Sequence, residues 1–265
     1  MREIIREHKG FWKQIFMLSK IELSKAYKGT LMGSAWAVIK PLITLMVFWF
    51  TFEIGIRGGS EIRNVPRFVF MLTGFVPWFF MNDMIVGGAK CIRNNQQFVT
   101  KISYPVSTIM TFSALARAYV HIALTAIMYI YLVAAGYAPT LYNIQILWYF
   151  PMMFLFFLAL SWITAPLSVY SKDFQNTIDS TIQAMFWLSG ILWDTYGIEY
   201  AWLRHIMLIN PINYFANGYR KAFIYNEWFF DSPKETIVFL IELAFIIIIG
   251  AWNYKRLRKT MADVL

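Results

Sequence analysis

The chain has 265 residues, of which 58% are hydrophobic, 19% aromatic and only 15% charged. Soluble domains carry about 25% charged residues, so this composition excludes an ordinary soluble domain and predicts a membrane protein. The one cysteine, Cys91, excludes a disulfide within the chain and a cysteine-based metal site. The net charge of +9 does not indicate nucleic-acid binding, because the basic residues flank apolar segments instead of forming one soluble patch.

Residues 1–30 predict a helix that lies on the membrane surface. Apolar residues such as Phe11, Ile15 and Leu18 fall on one side of a helical wheel. Lysines such as Lys13 and Lys20 fall on the other side. A basic amphipathic helix of this kind binds the interface of the inner leaflet. The alternative is a plain cytoplasmic extension. No cleavable signal peptide is predicted, since the segment lacks an apolar core with a small-residue cleavage site.

Six apolar segments follow, and they predict an all-α integral membrane protein. A helix rises about 1.5 Å per residue, so about 20 apolar residues cross a bilayer core of about 30 Å. The fifth and sixth segments are short for this purpose. We expect one membrane domain over residues 31–257 and a tail over residues 258–265. The predicted spans are residues 36–56, 68–88, 106–135, 144–169, 178–193 and 236–252.

The basic residues are distributed unequally between the two sides of this six-span arrangement. Of the 24 lysines and arginines, 16 fall on the side that holds both ends of the chain and seven on the other, while Arg117 lies within a span. The positive-inside rule therefore predicts a multi-pass protein of the cytoplasmic membrane with both termini in the cytoplasm.

The segment between the fifth and sixth spans, residues 194–232, is predicted to be external and is rich in aromatic residues. Asn210 and Pro211 interrupt it near its middle. Two short helices that dip into the outer leaflet and meet at this break explain the aromatic content, because tyrosine and tryptophan favour the interface. The alternative is an amphipathic loop lying flat on the membrane. The internal cytoplasmic loops, residues 91–105 and 171–177, are too small to hold a catalytic domain.

Motifs of an enzyme are absent from the sequence. It contains no P-loop, no His-Glu-x-x-His and no Gly-x-Ser-x-Gly. The histidines, His8, His121 and His205, have no metal-ligand spacing, so no metal site is predicted. We expect no catalytic residues, and any uphill movement of a substrate would need energy from another chain. The alternative is an intramembrane acyl- or glycosyltransferase that uses Asp83, His121 or Asp194.

Polar and aromatic side chains within the predicted spans are candidates for the lining of a pathway. Charged residues are costly in a bilayer, so their presence there suggests a function. Arg117 and His121 are four residues apart on one helix face, and Arg117 could pair with Asp83. Aromatic rings can pack, anchor a helix at the interface or stack on the C–H faces of sugars. The candidates for channel lining are Trp78, Asp83, Arg117, His121, Trp187 and Trp193.

Four blocks of sequence occur in the order typical of one transporter family. The first is KAYKGTLMGSAWAVIKPL at residues 25–42, and the second is GFVPWFFMNDMI at residues 74–85 followed by NNQQFVTKISYPVST. The third is YSKDFQNTIDSTIQAMFWLSGILWD at residues 170–194, and the fourth is INPINYFANGYRKAF at residues 209–223. Together they resemble the permeases of type-2 ABC exporters for O-antigen, teichoic acid and related cell-surface polysaccharides.

This resemblance implies a permease subunit that exports a lipid-linked polysaccharide across the cytoplasmic membrane. It implies two permease copies around a twofold axis, surrounded by membrane lipids, with one ATPase subunit bound to each copy. ATP and Mg²⁺ would bind the ATPase, and no cofactor would bind this chain. The alternatives are a permease of the same architecture for a drug, a lipid or a peptide, and a passive membrane scaffold.

The resemblance also implies roles for two groups of cytoplasmic residues. The turn formed by Lys172, Asp173 and Phe174 would contact the ATPase. The family often has arginine where Lys172 stands, and lysine lacks the planar fork of a guanidinium. The residues implied at the cytoplasmic entry for the lipid-linked substrate are Asn94, Asn95, Lys101 and Tyr104.

Overall fold

The computed structural model describes residues 2–55, 61–102, 104–258 and 260–265. Within these ranges the regular secondary structure consists of α-helices, five short 3₁₀- or π-helical segments and one short β-hairpin. The predicted all-α integral membrane fold is therefore confirmed. The elements are α1 Arg2–His8, α2 Trp12–Lys25, α3 Trp36–Trp49, β1 Glu61–Ile62, β2 Val65–Pro66, α4 Arg67–Asn94, α5 Gln96–Thr100, α6 Val106–Ala134, α7 Ile146–Tyr170, α8 Lys172–Leu188, α9 Ala201–Ile209, α10 Pro211–Arg220, α11 Pro233–Leu257 and α12 Met261–Val264.

Five helical segments among the described residues are long and apolar enough to cross a membrane. They correspond to the first four predicted spans and to the sixth, and most of them are longer than the apolar segments indicated. The predicted end of the first span, residue 56, lies outside the described residues. The five segments are Gly33–Gly55, Arg67–Asn94, Val106–Ala134, Leu141–Tyr170 and Pro233–Leu257.

The fifth predicted span, residues 178–193, has the wrong boundaries. Its helix, α8, begins at Lys172 because the Ser171 side chain caps it by accepting a hydrogen bond from the Phe174 amide at 3.2 Å. It ends at Leu188, shortly before Gly190, whose φ of +39° is incompatible with a continuing helix. With 17 residues, α8 is about 25 Å long. It contains too many polar residues to be recognised as a membrane span by its hydropathy.

Helix α8 nevertheless runs along most of α4. Near its middle, Asp179 forms an ion pair with Lys90 of α4 at 2.7 Å. Just beyond its end, the Ile191 carbonyl lies so close to Gly74 of α4 that a Cβ there would be 2.9 Å from it. Lys90 and Gly74 are 16 residues apart on α4, which corresponds to about 24 Å. Helix α8 therefore traverses the bundle antiparallel to α4.

Helix α4 is the central helix of the bundle, and small residues allow other helices to approach it closely. A Cβ on Gly88 would meet the Ser161 hydroxyl of α7 at 2.4 Å, and a Cβ on Gly87 would meet the Arg117 guanidinium of α6 at 2.0 Å. Small residues at such crossings permit the van der Waals packing that holds membrane helices together. Most of α4 is buried as a result.

The two ends of the bundle differ in what they carry. The β-hairpin and the starts of α4, α7 and α11 lie at one end, which we call the hairpin end. The start of α1, the end of α11 and the α7–α8 turn lie at the other, which we call the terminal end. There Glu7 accepts hydrogen bonds from Ser107 Oγ at 2.5 Å and from Tyr254 Oη at 2.7 Å, and it also pairs with Arg258. Helix α1 is therefore joined to the end of α11, the last long helix of the chain.

The amphipathic N-terminal segment forms two helices rather than one, because Gly10 has a φ of +90° and separates α1 from α2. Helix α2 packs along α6, where Ile15 is fully buried against Ile109 and Phe112. Apolar side chains also point outward from α2, including Phe16, which is 49% exposed. An exposed apolar side on a helix bound to the bundle fits a position at the membrane interface.

The two short helices predicted before the last span are present as α9 and α10. Asn210 lies at the tip between them and caps α10 by accepting hydrogen bonds from the amides of Ile212 and Asn213, with Pro211 as the first helical residue. Helix α10 then returns to the hairpin end, where the Ala222 carbonyl accepts a hydrogen bond of 2.7 Å from Asn143. The element is therefore a helical hairpin in which α10 is inserted into the bundle and α9 lies mostly exposed.

Candidate functional site

The turn between α7 and α8 presents a rigid projection at the terminal end. Lys172 and Asp173 are exposed, and Phe174 is half-buried. The Ser171 cap fixes the first turn of α8, and Asp173 lies where the helix dipole favours a negative charge. Ser171 is the only residue between the two helices, so a force on this turn would be transmitted to both of them.

The four residues implied at the substrate entry differ in how they are held. Asn95 is buried, and its amide donates hydrogen bonds to Glu22 of α2 at 3.2 Å and to the Cys91 carbonyl at 3.1 Å. Lys25 of α2 donates to the Asn94 carbonyl at 3.2 Å. These contacts tie the α4–α5 connection to α2, so the structure gives Asn95 an architectural role.

The other two entry residues occupy the segment before α6. Tyr104 packs edge-on against Phe11, with ring centroids 5.4 Å apart, and its amide donates to the Phe98 carbonyl at 2.8 Å. Lys101 is exposed at the end of α5. Of the four predicted residues, Lys101 and Asn94 are therefore the ones with exposed side chains at this end of the bundle.

Arg117 binds the backbone of α4 and not the carboxylate of Asp83. Its Nε donates to the Asp83 carbonyl oxygen at 2.8 Å, and one terminal nitrogen donates to the carbonyl and hydroxyl of Ser113 at 2.6 and 2.7 Å. The guanidinium fills the space that Gly87 leaves open. The expected Arg117–Asp83 ion pair is not among the ion pairs of the described residues. The Asp83 side chain itself is exposed.

His121 lies one turn further along α6 but joins a different helix. It is 2% exposed, and its Nε2 is 2.6 Å from the hydroxyl of Tyr219 on α10. The rings of Phe80 and Phe150 enclose it at centroid distances of 5.1 and 5.0 Å. A side chain this enclosed cannot line an open pathway in this conformation, so its visible role is to connect α6 with the re-entrant hairpin.

The three tryptophans predicted to line a channel differ in their exposure. Trp78 is 7% exposed and packs against Phe186 of α8, at a centroid distance of 5.5 Å. Trp187, the next residue of α8, is 59% exposed. Trp193 is half-buried, and its indole donates to the Trp187 carbonyl at 3.0 Å. Trp78 is thus a packing residue, whereas Trp187 is available to a pathway.

Helix α8 carries an exposed polar surface that the apolar-segment analysis missed. Three hydroxyls on it donate to their own helix backbone: Thr177 to Asp173, Ser180 to Asn176 and Thr181 to Thr177, at 2.7–2.9 Å. Such bonds reduce the cost of placing hydroxyls in a bilayer but leave the surface wettable. We call this surface the α8 polar face, and its members are Asn176, Thr177, Ser180, Thr181 and Gln183.

Buried polar residues of α10 hold the end of α8 in place. Arg220 is 1% exposed, and its guanidinium donates to the carbonyls of Gly190 and Ile191 at 2.8 and 2.7 Å and to that of Phe70 at 3.3 Å. It also donates to Asn217 at 2.8 Å. We call Asn210, Asn213, Asn217 and Arg220 the α10 polar ladder. Their spacing of three, four and three residues on one helix face was a signal that could have identified them.

At the hairpin end, Arg63 fastens the β-hairpin to the re-entrant element. Its guanidinium lies 4.2 Å from the ring centroid of Tyr225 and 5.0 Å from that of Tyr196, and it pairs with Glu227 at 3.4 Å. Burial and the neighbouring Glu235 carboxylate raise the pKa of the Tyr196 phenol, so this hydroxyl remains a donor at physiological pH. No pattern in the sequence indicated this contact.

The arrangement is that of a membrane protein, with a helical bundle, a helical hairpin formed by α9 and α10, and a projecting α7–α8 turn at the terminal end. Residues 13–224 match the family of ABC-2 type transporters. Because this match covers most of the chain, the protein belongs to that family, as the sequence blocks indicated.

The chain is also similar to two individual proteins of known name. The chain is similar to the O-antigen export system permease protein RfbA of Myxococcus xanthus, with 25% identity over 229 residues that cover 84% of this chain and 85% of that protein. A protein of the same name from Klebsiella pneumoniae is 22% identical over 258 residues, which cover 95% of this chain and 94% of the relative.

Proposed function

We propose that this chain is the membrane permease of an ATP-driven exporter that moves a lipid-linked polysaccharide across the cytoplasmic membrane. The similarity to O-antigen export permeases supports the substrate class. Family membership supports a partner ATPase, which would bind ATP and Mg²⁺, since the sequence contains no P-loop. The terminal end would face the cytoplasm, so the turn formed by Lys172, Asp173 and Phe174 would meet the ATPase.

The observation that carries the proposal is the α8 polar face. Helix α8 runs along α4, yet between residues 176 and 183 its exposed surface presents hydroxyls and amides. Such a surface is costly against lipid and favourable beside water or a glycan. Two copies of the chain related by a twofold axis would enclose a polar path if their α8 polar faces pointed at one another.

The neighbouring helix α3 supports this arrangement. It packs on the same side of α4 as α8 through an aromatic cluster, in which Phe48 is 4.6 Å from Phe75 and Phe75 is 5.4 Å from Phe186 between ring centroids. The outward side of α3 is apolar, with Met46 65% exposed and Val47 57% exposed. An apolar surface beside a polar one suits a second copy that seals the path laterally.

A matched pair of substitutions tests the pathway. Ala184 and Ala244 are both exposed, the first on α8 beside the polar face and the second on α11. We expect Ala184→Leu to lower surface polysaccharide several-fold, measured in cells that lack the native permease and contain the ATPase, because it narrows the path. Ala244→Leu, which adds the same bulk towards lipid, should leave export unchanged. Equal export by both variants at equal protein levels would remove α8 from the pathway.

A further inference from the structure

A cavity of about 580 Å³ opens at the hairpin end, between α9, α10 and the start of α11. Its volume falls within the range of about 300–1,000 Å³ that is typical of small-ligand sites. It lies beside the re-entrant hairpin and away from the α8 polar face, so the pathway argued above does not account for it. Its lining includes Tyr196, Arg204, Leu208, Asn213, Lys234 and Glu235.

The deep wall of the cavity is polar and rigid. Thr195 donates to the side-chain carbonyl of Asn213 at 3.0 Å, and Asn217 donates to the Thr195 hydroxyl at 3.0 Å. Asn213 also donates to the Met207 carbonyl at 2.9 Å, which joins α10 to α9. Because the side chains of Asn213, Asn217 and Thr195 are buried and fixed by one another, this wall is preorganised.

The rim of the cavity combines carboxylates, which accept hydrogen bonds, with cationic side chains, which donate them. Glu235 accepts from Lys221 at 2.6 Å and from Tyr196 at 3.3 Å through Oε2, which leaves Oε1 towards other donors. Asp231 accepts from the Trp228 amide through Oδ2. Arg204 and Lys234 add exposed cations. A ligand that matches such a rim must both donate and accept along its whole surface.

We propose that this cavity is a saccharide subsite on the exit side of the permease, holding a short stretch of the polymer after it leaves the path. Sugar hydroxyls both donate and accept, and the C–H faces of a sugar suit the apolar surfaces of Tyr196, Met207 and Leu208. The subsite would reduce backsliding of the emerging chain. This inference rests on the proposed function, because it takes the exported polymer as the ligand.

The test uses the full-length chain in lipid nanodiscs without the ATPase. The probe is the set of oligosaccharides released by mild acid from the surface polysaccharide of the source cells, and binding is read by saturation-transfer NMR. We expect saturation transfer from the parent chain to the oligosaccharides. For Leu208→Trp, which fills the cavity, we expect an affinity at least about tenfold lower. Ile206→Trp adds the same ring on the exposed side of α9, where Ile206 is 51% exposed, and should bind like the parent.

A milder variant protects the test against misfolding of Leu208→Trp. Lys234→Gln removes one rim cation from an exposed side chain and should weaken binding measurably without changing the thermal midpoint. The proposal is overturned if the oligosaccharides receive no saturation transfer from the parent chain. It is also overturned if the Leu208→Trp and Ile206→Trp variants bind them equally. Displacement of the oligosaccharides by inorganic phosphate at equal concentration also overturns it, because the cavity is then a site for anions such as lipid headgroups.

The two proposals fail separately. Binding in nanodiscs requires neither ATP nor export, so a negative result there leaves the Ala184→Leu test of the pathway intact. Conversely, normal export by Ala184→Leu would remove the α8 path, while binding of oligosaccharides in the cavity would still be observed.

Discussion

Helices α8 and α10 use polar residues in opposite ways. Every residue of α10 from Ile212 to Arg220 is buried, and its polar ladder is satisfied by other side chains and by carbonyls of α4 and of the α8–α9 connection. The hydroxyls of α8 point outward and bond to their own helix. Polar residues in a membrane helix therefore do not by themselves mark a pathway. Polar side chains that point into the bundle stabilise the fold, whereas those that point outward are candidates for a transport pathway.

Replacement of Arg220, in the α10 polar ladder, is expected to cause the largest loss of stability. Replacing it with alanine removes the donor of four buried acceptors, and each buried acceptor left without a partner costs about 1–3 kcal/mol. We expect the Arg220→Ala chain to unfold at a much lower temperature in detergent and to be poorly expressed. The matched control is Arg204→Ala on α9, where the arginine is exposed. Similar losses for both variants would contradict the architectural role of the ladder.

Two tryptophans test the same distinction beside α8. Trp78→Ala should destabilise the chain by about 3–5 kcal/mol, as large-to-small changes of buried aromatic residues do. Trp187→Ala should leave stability nearly unchanged but slow export at equal protein levels, because the ring is exposed on α8. Thermal unfolding and surface polysaccharide give the two readouts. The distinction fails if Trp187→Ala is the less stable variant or if its export rate is normal.

Gly218 tests how closely α10 is inserted. A Cβ at this position would lie 2.2 Å from the ring of Tyr149, which is itself 1% exposed and unable to move freely. We expect Gly218→Ala to cost about 1–3 kcal/mol by overpacking, measured by thermal or denaturant unfolding. Gly197→Ala is the control, because the nearest atom to its Cβ is an Asp194 oxygen at 3.7 Å. A tolerated Gly218→Ala would mean that α10 packs more loosely than the structure shows.

The smallest effect on stability is expected at the α7–α8 turn. Asp173→Ala and Phe174→Ala should each leave the thermal midpoint close to that of the parent, yet reduce polysaccharide export in the presence of the ATPase. The control is Glu199→Ala, an exposed carboxylate on the hairpin side of the bundle. Normal export by both turn variants would show that the ATPase engages a different surface.

The architecture was largely predictable from sequence because it depends on long apolar segments and on breaks such as Asn210-Pro211. Helix α8 was misplaced because hydropathy detects apolar residues, whereas this helix is defined by a serine cap and a left-handed glycine. The candidate pathway was predicted only in part. Charge alone suggested His121 as a lining residue, but its burial against Phe80 and Tyr219 is set by the packing of three helices that no local pattern encodes.

The cluster around Glu7 has a consequence for how the chain is made. Glu7 bonds to Tyr254 and Arg258, which lie 247 and 251 residues further along the chain. During synthesis the N-terminal helix therefore leaves the ribosome long before its partners exist, and contacts of such large sequence separation form late. Before α11 is made, α1 still has its bonds to α6, through Glu7 with Ser107 and His8 with Thr111. A chain truncated before Tyr254 would lack the bonds from Tyr254 and Arg258 to Glu7, so α1 would be held more weakly and would be cleaved more readily by proteases.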